Sequence, residues 1–345
     1  MSLRNFIILL VIILALIVAI LVIPNNDNDL VPVTPTPTVN TSPEPTTNPD
    51  LSPTPLELDK EIVFKDGYLE LVIRDLLNKP VGAILESEVK GIKELEARVC
   101  AIRNIDDLVH FTSLEKLDLY GNRISDLSAL KHLTNLKYLD LGHNFISIYA
   151  GSNEGLMLDP LKNLTNLEEL YLDKNYISDI SALSGLVSLK RLSLNKNRIR
   201  DISPLKRCVN IEYLDLSNNF HEGSGYQYFG IEDLTVISNI TMLRYIDVSE
   251  NVVYDLTPLS ELPNLEVVIA SVNEITDIEC FRGHNSLKEL NVEINFIFSF
   301  DAILEMPSLE KLGYEGNPIM DYYPIDVFEG RITPSPSITS SPNPT

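Results

Sequence analysis

The sequence has no tryptophan and only three cysteines, Cys100, Cys208 and Cys280. The cysteines lie far apart, and none belongs to a CxxC pair or to a cysteine and histidine group at zinc-ligand spacing. Their odd number does not indicate a disulfide framework either. The sequence therefore predicts no metal site and no cofactor.

Basic residues are also scarce, with 27 lysines and arginines against 49 aspartates and glutamates in 345 residues. Most of the acidic excess belongs to residues 62–330, which carry 42 acidic and 24 basic side chains. Binding to a phosphate backbone depends on lysine and arginine displacing counterions. This charge balance predicts that nucleic acid is not a partner.

Catalytic motifs are missing as well. The sequence contains no HExxH, no GxSxG and no glycine-rich phosphate loop. Its abundant carboxylates are expected to form a solvated surface. We predict that the chain is not an enzyme and has no catalytic residues. Its five histidines lie at unrelated positions of the repeat described below: His110, His132, His143, His221 and His284.

One long hydrophobic run is present at residues 6–23, FIILLVIILALIVAILVI, without a charge, glycine or proline. As an α-helix this run would cover about 27 Å, which is enough for the hydrocarbon core of a bilayer. Arg4 precedes the run and NNDND follows it. The positive-inside rule then predicts a single-pass signal anchor in the plasma membrane, with residues 1–5 cytoplasmic and the rest extracellular.

A cleaved signal peptide is the alternative interpretation of this run. Cleavage would require a shorter apolar core and a small-x-small site. The run closes instead with Leu21, Val22, Ile23 and Pro24. These residues favour an uncleaved anchor.

Proline is concentrated at the two ends of the chain, since 13 of the 21 prolines lie in residues 24–61 and 331–345. Proline, threonine and serine offer little surface to bury and favour extended polyproline II. We predict a disordered linker at 24–61 and a disordered tail at 331–345. Their composition resembles the Thr/Pro linkers of clostridial surface proteins, which implies a Gram-positive bacterium.

A repeat occupies the chain between these segments, in the frame LxxLxLxxNxI. Its asparagines are separated by 22 residues, except for two spacings of 31 and 32. A further step of 22 back from the first of them reaches Cys100. The asparagines are Asn122, Asn144, Asn175, Asn197, Asn219, Asn251, Asn273, Asn295 and Asn317.

The residue types of the repeat have a mechanical reason. Alternating leucines predict a short parallel strand with one buried face, and the asparagine is expected to bond backbone groups of neighbouring coils at the turn that follows. We predict an α/β fold, a right-handed leucine-rich repeat solenoid with a parallel concave β-sheet. The predicted domains are a helical N-terminal cap at 62–94 and the repeats at 95–330.

The repeat resembles that of the bacterial internalins, a class of leucine-rich repeat surface proteins. The resemblance covers residues 92–327 and rests on the 22-residue period, Asp-Ile or Asp-Leu after the strand, and LTN or LPN before it. Residues 64–95 resemble the helical cap of that class, and GNPIMDYYP resembles a closing cap. No wall-anchoring motif or immunoglobulin-like domain follows the repeats, so particular host receptors of the class do not carry over.

Outward-facing strand positions are the first candidate binding surface. Asp118 with Asp140, and Asp215 with Asp247, are expected to be like-charge neighbours on adjacent strands. Tyrosines beside acids suit a partner surface rich in lysine or arginine. A solvated face without a partner explains the pattern equally well. The candidate binding residues on this face are Tyr138, Tyr171, Tyr213, Asp215, Tyr245 and Asp247.

Two insertions form the second candidate surface, between Ile146 and Leu158 and between Phe220 and Asp233. Both enter just after a repeat asparagine, so they are expected on one rim, where Tyr149, Tyr226 and Tyr228 would form a binding fringe. Drift of a tolerant surface loop is the alternative.

These features together predict an extracellular recognition or adhesion module that binds a protein through its concave face and rim, and a basic partner surface would suit it best. The alternative is a structural or glycan-binding component of the cell envelope without a specific protein partner. Cys100, Cys208 and His284 occupy repeat positions that predict core or structural roles.

Overall fold

The computed structural model describes residues 59–146, 157–222 and 228–330. Among these residues, no helix is both long and apolar enough to cross a membrane. The predicted anchor at 6–23, nearly all of the linker, the tail, Tyr149 and Tyr226 lie outside the described residues.

An N-terminal cap begins with β1 (Glu61–Ile62), which pairs antiparallel with β2 (Ile84–Leu85). Between them lies helix α1 (Gly67–Leu76), and helix α2 (Glu86–Lys90) follows. One Asp66 carboxylate oxygen accepts the N–H groups of Tyr68 and Leu69 and so caps α1. The other accepts those of Arg103 and Asn104, which ties the cap to the first coils.

The repeats form a single ten-stranded parallel sheet. Each strand pairs in register with the strand of the next coil, and the two insertions do not interrupt the order. The first six strands are β3 (Glu94–Glu96), β4 (Lys116–Asp118), β5 (Tyr138–Asp140), β6 (Glu169–Tyr171), β7 (Arg191–Ser193) and β8 (Tyr213–Asp215).

A separate antiparallel hairpin of β9 (His221–Glu222) and β10 (Tyr228–Phe229) follows in the chain and belongs to the second insertion. The parallel sheet then continues with β11 (Tyr245–Asp247), β12 (Val267–Ile269), β13 (Glu289–Asn291) and β14 (Lys311–Gly313). The predicted leucine-rich repeat fold with a parallel sheet is confirmed.

Short 3₁₀ helices lie on the side of each coil away from the sheet. An aspartate just before them, such as Asp126 or Asp201, accepts the N–H two residues further on and starts the turn. This bond accounts for the Asp-Leu and Asp-Ile pairs of the repeat. In the described chain these helices are Asp106–His110, Ser128–His132, Asp159–Leu161, Ser181–Gly185, Ser203–Arg207, Thr235–Asn239, Thr257–Leu259, Glu279–Phe281 and Asp301–Glu305.

One hydrophobic core runs through all the coils. In each strand the apolar residues flanking the outward residue point inward, so that Leu117, Leu119 and their equivalents are buried, except for the partly buried Leu312 and Tyr314 of the last coil. Helix α3 (Tyr323–Phe328) closes the core at the C-terminal end with buried Ile325. Cys208 is buried as predicted, whereas Cys100, also predicted to lie in the core, is only half-buried because no earlier coil covers it. His284 is 8% exposed, and its ring nitrogen accepts the N–H of Leu287.

The repeat asparagines lie at the turn that leaves the sheet, and we call them the asparagine ladder. The carboxamide of Asn122 accepts the N–H groups of Cys100 and Ile102 in the preceding coil. It donates to the carbonyl of Ala97 in that coil and to Leu119 in its own. Each of the other eight asparagines accepts one N–H of the preceding coil and donates to one carbonyl of that coil and one of its own, so each one joins two coils.

Candidate functional site

Each coil presents outward side chains from its strand and from the second residue after it, and these side chains form the sheet face. Six of them, one from each of the neighbouring strands β4 to β8 and β11, lie side by side, five as the first residue of their strand and one, Tyr171, as the last residue of β6. We call this set the aromatic row. It consists of Lys116, Tyr138, Tyr171, Arg191, Tyr213 and Tyr245.

Contacts between neighbours make the aromatic row continuous. The Lys116 ammonium lies 5.6 Å from the centre of the Tyr138 ring, whose centre is in turn 5.6 Å from that of Tyr171. Nε of Arg191 donates to the Tyr171 hydroxyl at 3.2 Å, and the Arg191 guanidinium lies 4.3 Å from the Tyr213 ring centre. These contacts hold the rings in fixed orientations, at a cation–π distance where arginine is involved.

The row ends in a stacked pair. The rings of Tyr213 and Tyr245 lie 4.5 Å apart at 7° between their planes, because β8 and β11 pair these residues directly. Partial burial, reinforced by nearby carboxylates, raises the pKa of both hydroxyls. Both hydroxyls stay protonated at neutral pH, as a tyrosine does at its ordinary pKa, and each can accept a hydrogen bond from a ligand.

Asp215 and Asp247 lie beside this pair, in register with each other. One oxygen of each carboxylate is already used, since it accepts both the N–H and the hydroxyl of the serine two residues on, Ser217 or Ser249. Burial is the main cause that raises the pKa of Asp247. These acids thus shape the ends of their strands as well as facing outward.

The other expected acidic pair, Asp118 and Asp140, is also in register, but an arginine lies against it. Nη1 of Arg98 is 2.6 Å from Asp118 and 3.4 Å from Asp140, and its guanidinium covers the Tyr120 ring. Burial, opposed by the Gly142 N–H and reinforced by Asp118, raises the pKa of Asp140 to about 6. Sequence reasoning missed Arg98, although counting 22 residues back from Tyr120 would have found it.

The rim is described only in part, at the two ends of the second insertion where β9 and β10 pair. Within the described residues, Tyr228 stacks on Phe220 rather than on a member of the aromatic row, with ring centres 5.3 Å apart. The Arg200 guanidinium covers the Phe229 ring. Six of the nine predicted binding residues therefore share the sheet face, Tyr228 is on the hairpin, and two are not described.

An open groove of about 450 Å³ lies at the opposite edge, where the chain enters the strands. Glu212, Arg244, Glu266 and Lys288 line it, and none of them is a predicted binding residue. In the described part of the chain, no three histidine, cysteine, aspartate or glutamate side chains are arranged to hold a metal ion.

Comparison with known proteins agrees with this architecture. The family model described as Leucine Rich repeats (2 copies) matches residues 112–154, 134–185 and 187–222. The repeat sequence, the parallel sheet and the asparagine ladder thus define a leucine-rich repeat protein. No curated protein matches the sequence at a significant level.

Solved structures show which leucine-rich repeat proteins this chain resembles. An internalin (inlF) from Listeria monocytogenes is 28% identical with a TM-score of 0.66, over 80% of this chain and 83% of that one. Internalin C2 from the same organism is 26% identical with a TM-score of 0.52, over 73% and 94%. The chain is therefore similar to the bacterial internalins in repeat sequence and in fold.

The fold is shared more widely. The ectodomain of the Arabidopsis thaliana membrane receptor kinase GASSHO1/SCHENGEN3, solved in complex with CASPARIAN STRIP INTEGRITY FACTOR 2, has a TM-score of 0.54. It is 22% identical over 66% of this chain and 27% of that one, which is a likeness of fold alone.

Proposed function

We propose that the chain is a membrane-anchored extracellular recognition module whose protein partner docks on the aromatic row. The observation that carries the proposal is the row itself, in which four tyrosines and two cations are held in mutual contact. Rigid tyrosines supply contact area at low entropic cost, so they dominate many protein interfaces.

The charge around the row supports a partner with exposed lysine or arginine. Asp215, Asp247 and the half-buried Asp173 lie next to the C-terminal half of the row, and burial raises the pKa of both Asp173 and Asp247. An approaching cation would stabilise their charged forms, which links binding to acid ionisation. The rim, with Tyr149, Tyr226 and Tyr228, is proposed as a second contact.

The proposal also includes where the protein lies in the cell envelope. The apolar run at 6–23 would hold the protein in the plasma membrane, and the Thr/Pro segment would hold the repeats away from it. A cell-envelope glycan is the second candidate ligand, because stacked tyrosines such as Tyr213 and Tyr245 also fit the flat face of a sugar ring.

Cross-linking on intact cells, followed by mass spectrometry of the captured molecules, would identify the partner. Its affinity for the full chain would then be compared with that for Tyr213→Ala/Tyr245→Ala. We expect at least about a tenfold loss, as for aromatic hot spots. Tyr68→Ala/Tyr322→Ala, at two exposed tyrosines near the two ends of the described chain, is the matched control.

Unchanged affinity of the tyrosine double variant, with an unchanged melting temperature, would exclude the aromatic row. Deletion of residues 150–156 and 223–230 tests the rim separately, and unchanged affinity there would remove the rim alone. Retention on purified wall polysaccharide without any captured protein would favour the glycan-binding alternative.

A further inference from the structure

The edge at which the chain enters the sheet carries one charged residue per coil, immediately before each strand. Going along the stack, the charges alternate in sign without exception. We call this set the edge ladder. It consists of Lys93, Glu115, Lys137, Glu168, Lys190, Glu212, Arg244, Glu266, Lys288 and Glu310.

Contacts within the chain use part of this edge ladder. Glu115 binds Lys93 and Lys137, each at 2.7 Å, and these two lysines lower its pKa to about 2. Glu168 pairs with Lys190, and Glu266 pairs with both Arg244 and Lys288. Among the described residues, Glu212 and Glu310 form no ion pair, and the basic side chains stay about half-exposed or more.

Whether the charges on two such edges attract or repel each other depends on the direction of the two-fold axis that relates the two copies. A closed dimer brings the same surface of two copies together around a two-fold axis. If the axis runs along the edge ladder, each residue faces its own copy and like charges meet. If the axis is perpendicular to the ladder, the first residue faces the tenth, and opposite charges meet at all ten positions.

We propose that two copies of this chain associate edge to edge and antiparallel, along the edge ladder. Lys93 then faces Glu310 of the second copy, and Lys190 faces Glu212 of the second copy beside the axis. Both carboxylates that lack an intramolecular ion pair gain one in this arrangement. At about 4.8 Å per strand, the paired edges extend over roughly 43 Å.

The surface at the proposed axis supports this dimer independently of the ladder. Val187 and Val209 precede the two central ladder residues by three positions and are 37% and 41% exposed. Val187 and Val209 are the two aliphatic side chains among the ten equivalent positions, of which the others are Lys90, Thr112, Thr134, Thr165, Thr241, Pro263, Asn285 and Pro307. An apolar centre within a polar rim is the usual anatomy of a protein interface. Ion pairing within one chain explains the alternation of charge but not this placement.

The next column of outward side chains has the same symmetry at its ends. Glu94 and Lys311 occupy the first and last strands, and Lys116 and Glu289 occupy the strands next to them. The antiparallel arrangement places these residues opposite each other as well. The proposed interface leaves the stacked pair of the aromatic row on the sheet face, and Lys116 is the one residue that it shares with the row.

The first experiment measures the mass of the full chain in nonionic detergent by sedimentation. We expect a dimer that weakens at least about tenfold between roughly 0.05 and 0.5 M salt, because its contacts are largely ionic. Lys190→Glu places like charges at the axis and should abolish the dimer. The double variant Lys190→Glu/Glu212→Lys should restore it.

The double variant also separates the dimer from contacts within one chain. It leaves the introduced carboxylate beside Glu168 and the introduced ammonium beside Arg244, so its melting temperature should stay below that of the unchanged protein. A dimer that persists in Lys190→Glu, or that the double variant fails to restore, would overturn the proposal. So would a monomer under all conditions.

Cross-linking tests the direction of the two chains. The Cys100→Ser/Cys280→Ser background leaves only the buried Cys208. Lys93→Cys and Glu310→Cys variants, mixed and treated with a short bismaleimide, should form the 93–310 product. A 93–93 product, or no product beyond that of the background, would exclude the antiparallel edge dimer.

Discussion

The side chain of Asp140 shows how burial between stacked strands changes the ionisation of a single carboxylate. Its neighbours in register include Asp118, and it has only 6% of its surface exposed. The sequence is sufficient to predict the like-charge contact, because register follows from the repeat spacing. It does not predict that Arg98 lies against the pair, since that depends on how a long side chain folds back over Tyr120.

Replacing Asp140 by asparagine should stabilise the protein at neutral pH. Burial raises the pKa of this carboxyl to about 6 in the folded state, so the charged form is disfavoured and stability falls as pH rises from the unfolded pKa through 6. We expect Asp140→Asn to add about 1 to 2 kcal/mol at pH 7.5 and almost nothing below pH 4. Urea unfolding at both pH values measures the difference.

The matched control is Asp126→Asn, at an exposed aspartate that accepts a single N–H. A stabilisation by Asp140→Asn that is equal at both pH values would contradict this account. Asparagine is compatible with the position, because Asn291 occupies it in a later coil and accepts the equivalent N–H of Glu293.

At the scale of one coil, the asparagine ladder carries the connection between neighbours. Asn197 accepts the N–H of Ile177 and donates to carbonyls of Leu172 and Leu194, all buried. The repeat frame predicts the strands because leucine alternation marks their buried face. It does not predict the 3₁₀ helices, whose short turns have no strong hydrophobic period of their own.

Asn197→Ala should therefore be strongly destabilising. The change leaves one buried N–H and two buried carbonyls without their side-chain partner, which costs about 3 kcal/mol or more. Asn210→Ala is the control, because this exposed asparagine makes one bond to the Val187 carbonyl and should cost under about 1 kcal/mol. Denaturant unfolding of both variants gives the comparison, and equal losses would show that the ladder position is not special.

At the scale of the whole molecule, each coil contacts only its neighbours, so stability is a sum of local interfaces. Hydrogen bonds of Lys65 and Asp66 join the cap to the first coils. The cap itself is predicted by resemblance. The attachment of the cap to the first coils is not predicted, because Asp66 and Arg103 are 37 residues apart and no sequence pattern links them.

Asp66→Ala should loosen one end of the molecule only. We expect faster amide hydrogen exchange at Leu69 and Ile102, near the lost bonds, and unchanged exchange at Val268 and Leu290. Mass-spectrometric exchange on peptides from both ends measures this contrast. Uniformly faster exchange along the chain would show that the coils unfold as one cooperative unit.

Because the charges of the edge ladder alternate, the pairing of two antiparallel edges depends on whether the number of coils is even or odd. Removing the coil of Lys190 would place Glu168 beside Glu212, whereas removing the coil of Glu212 as well would place Glu168 beside Arg244. If the last coil, that of Glu310, were lost instead, nine alternating members would remain, residues equidistant from the centre would carry the same sign, and the antiparallel edges would repel. Coils of this chain can therefore be gained or lost in pairs, a unit of 44 residues where the spacing is 22, whereas the loss of a single coil either brings two like charges together within the chain or, at an end, reverses the pairing between the two copies.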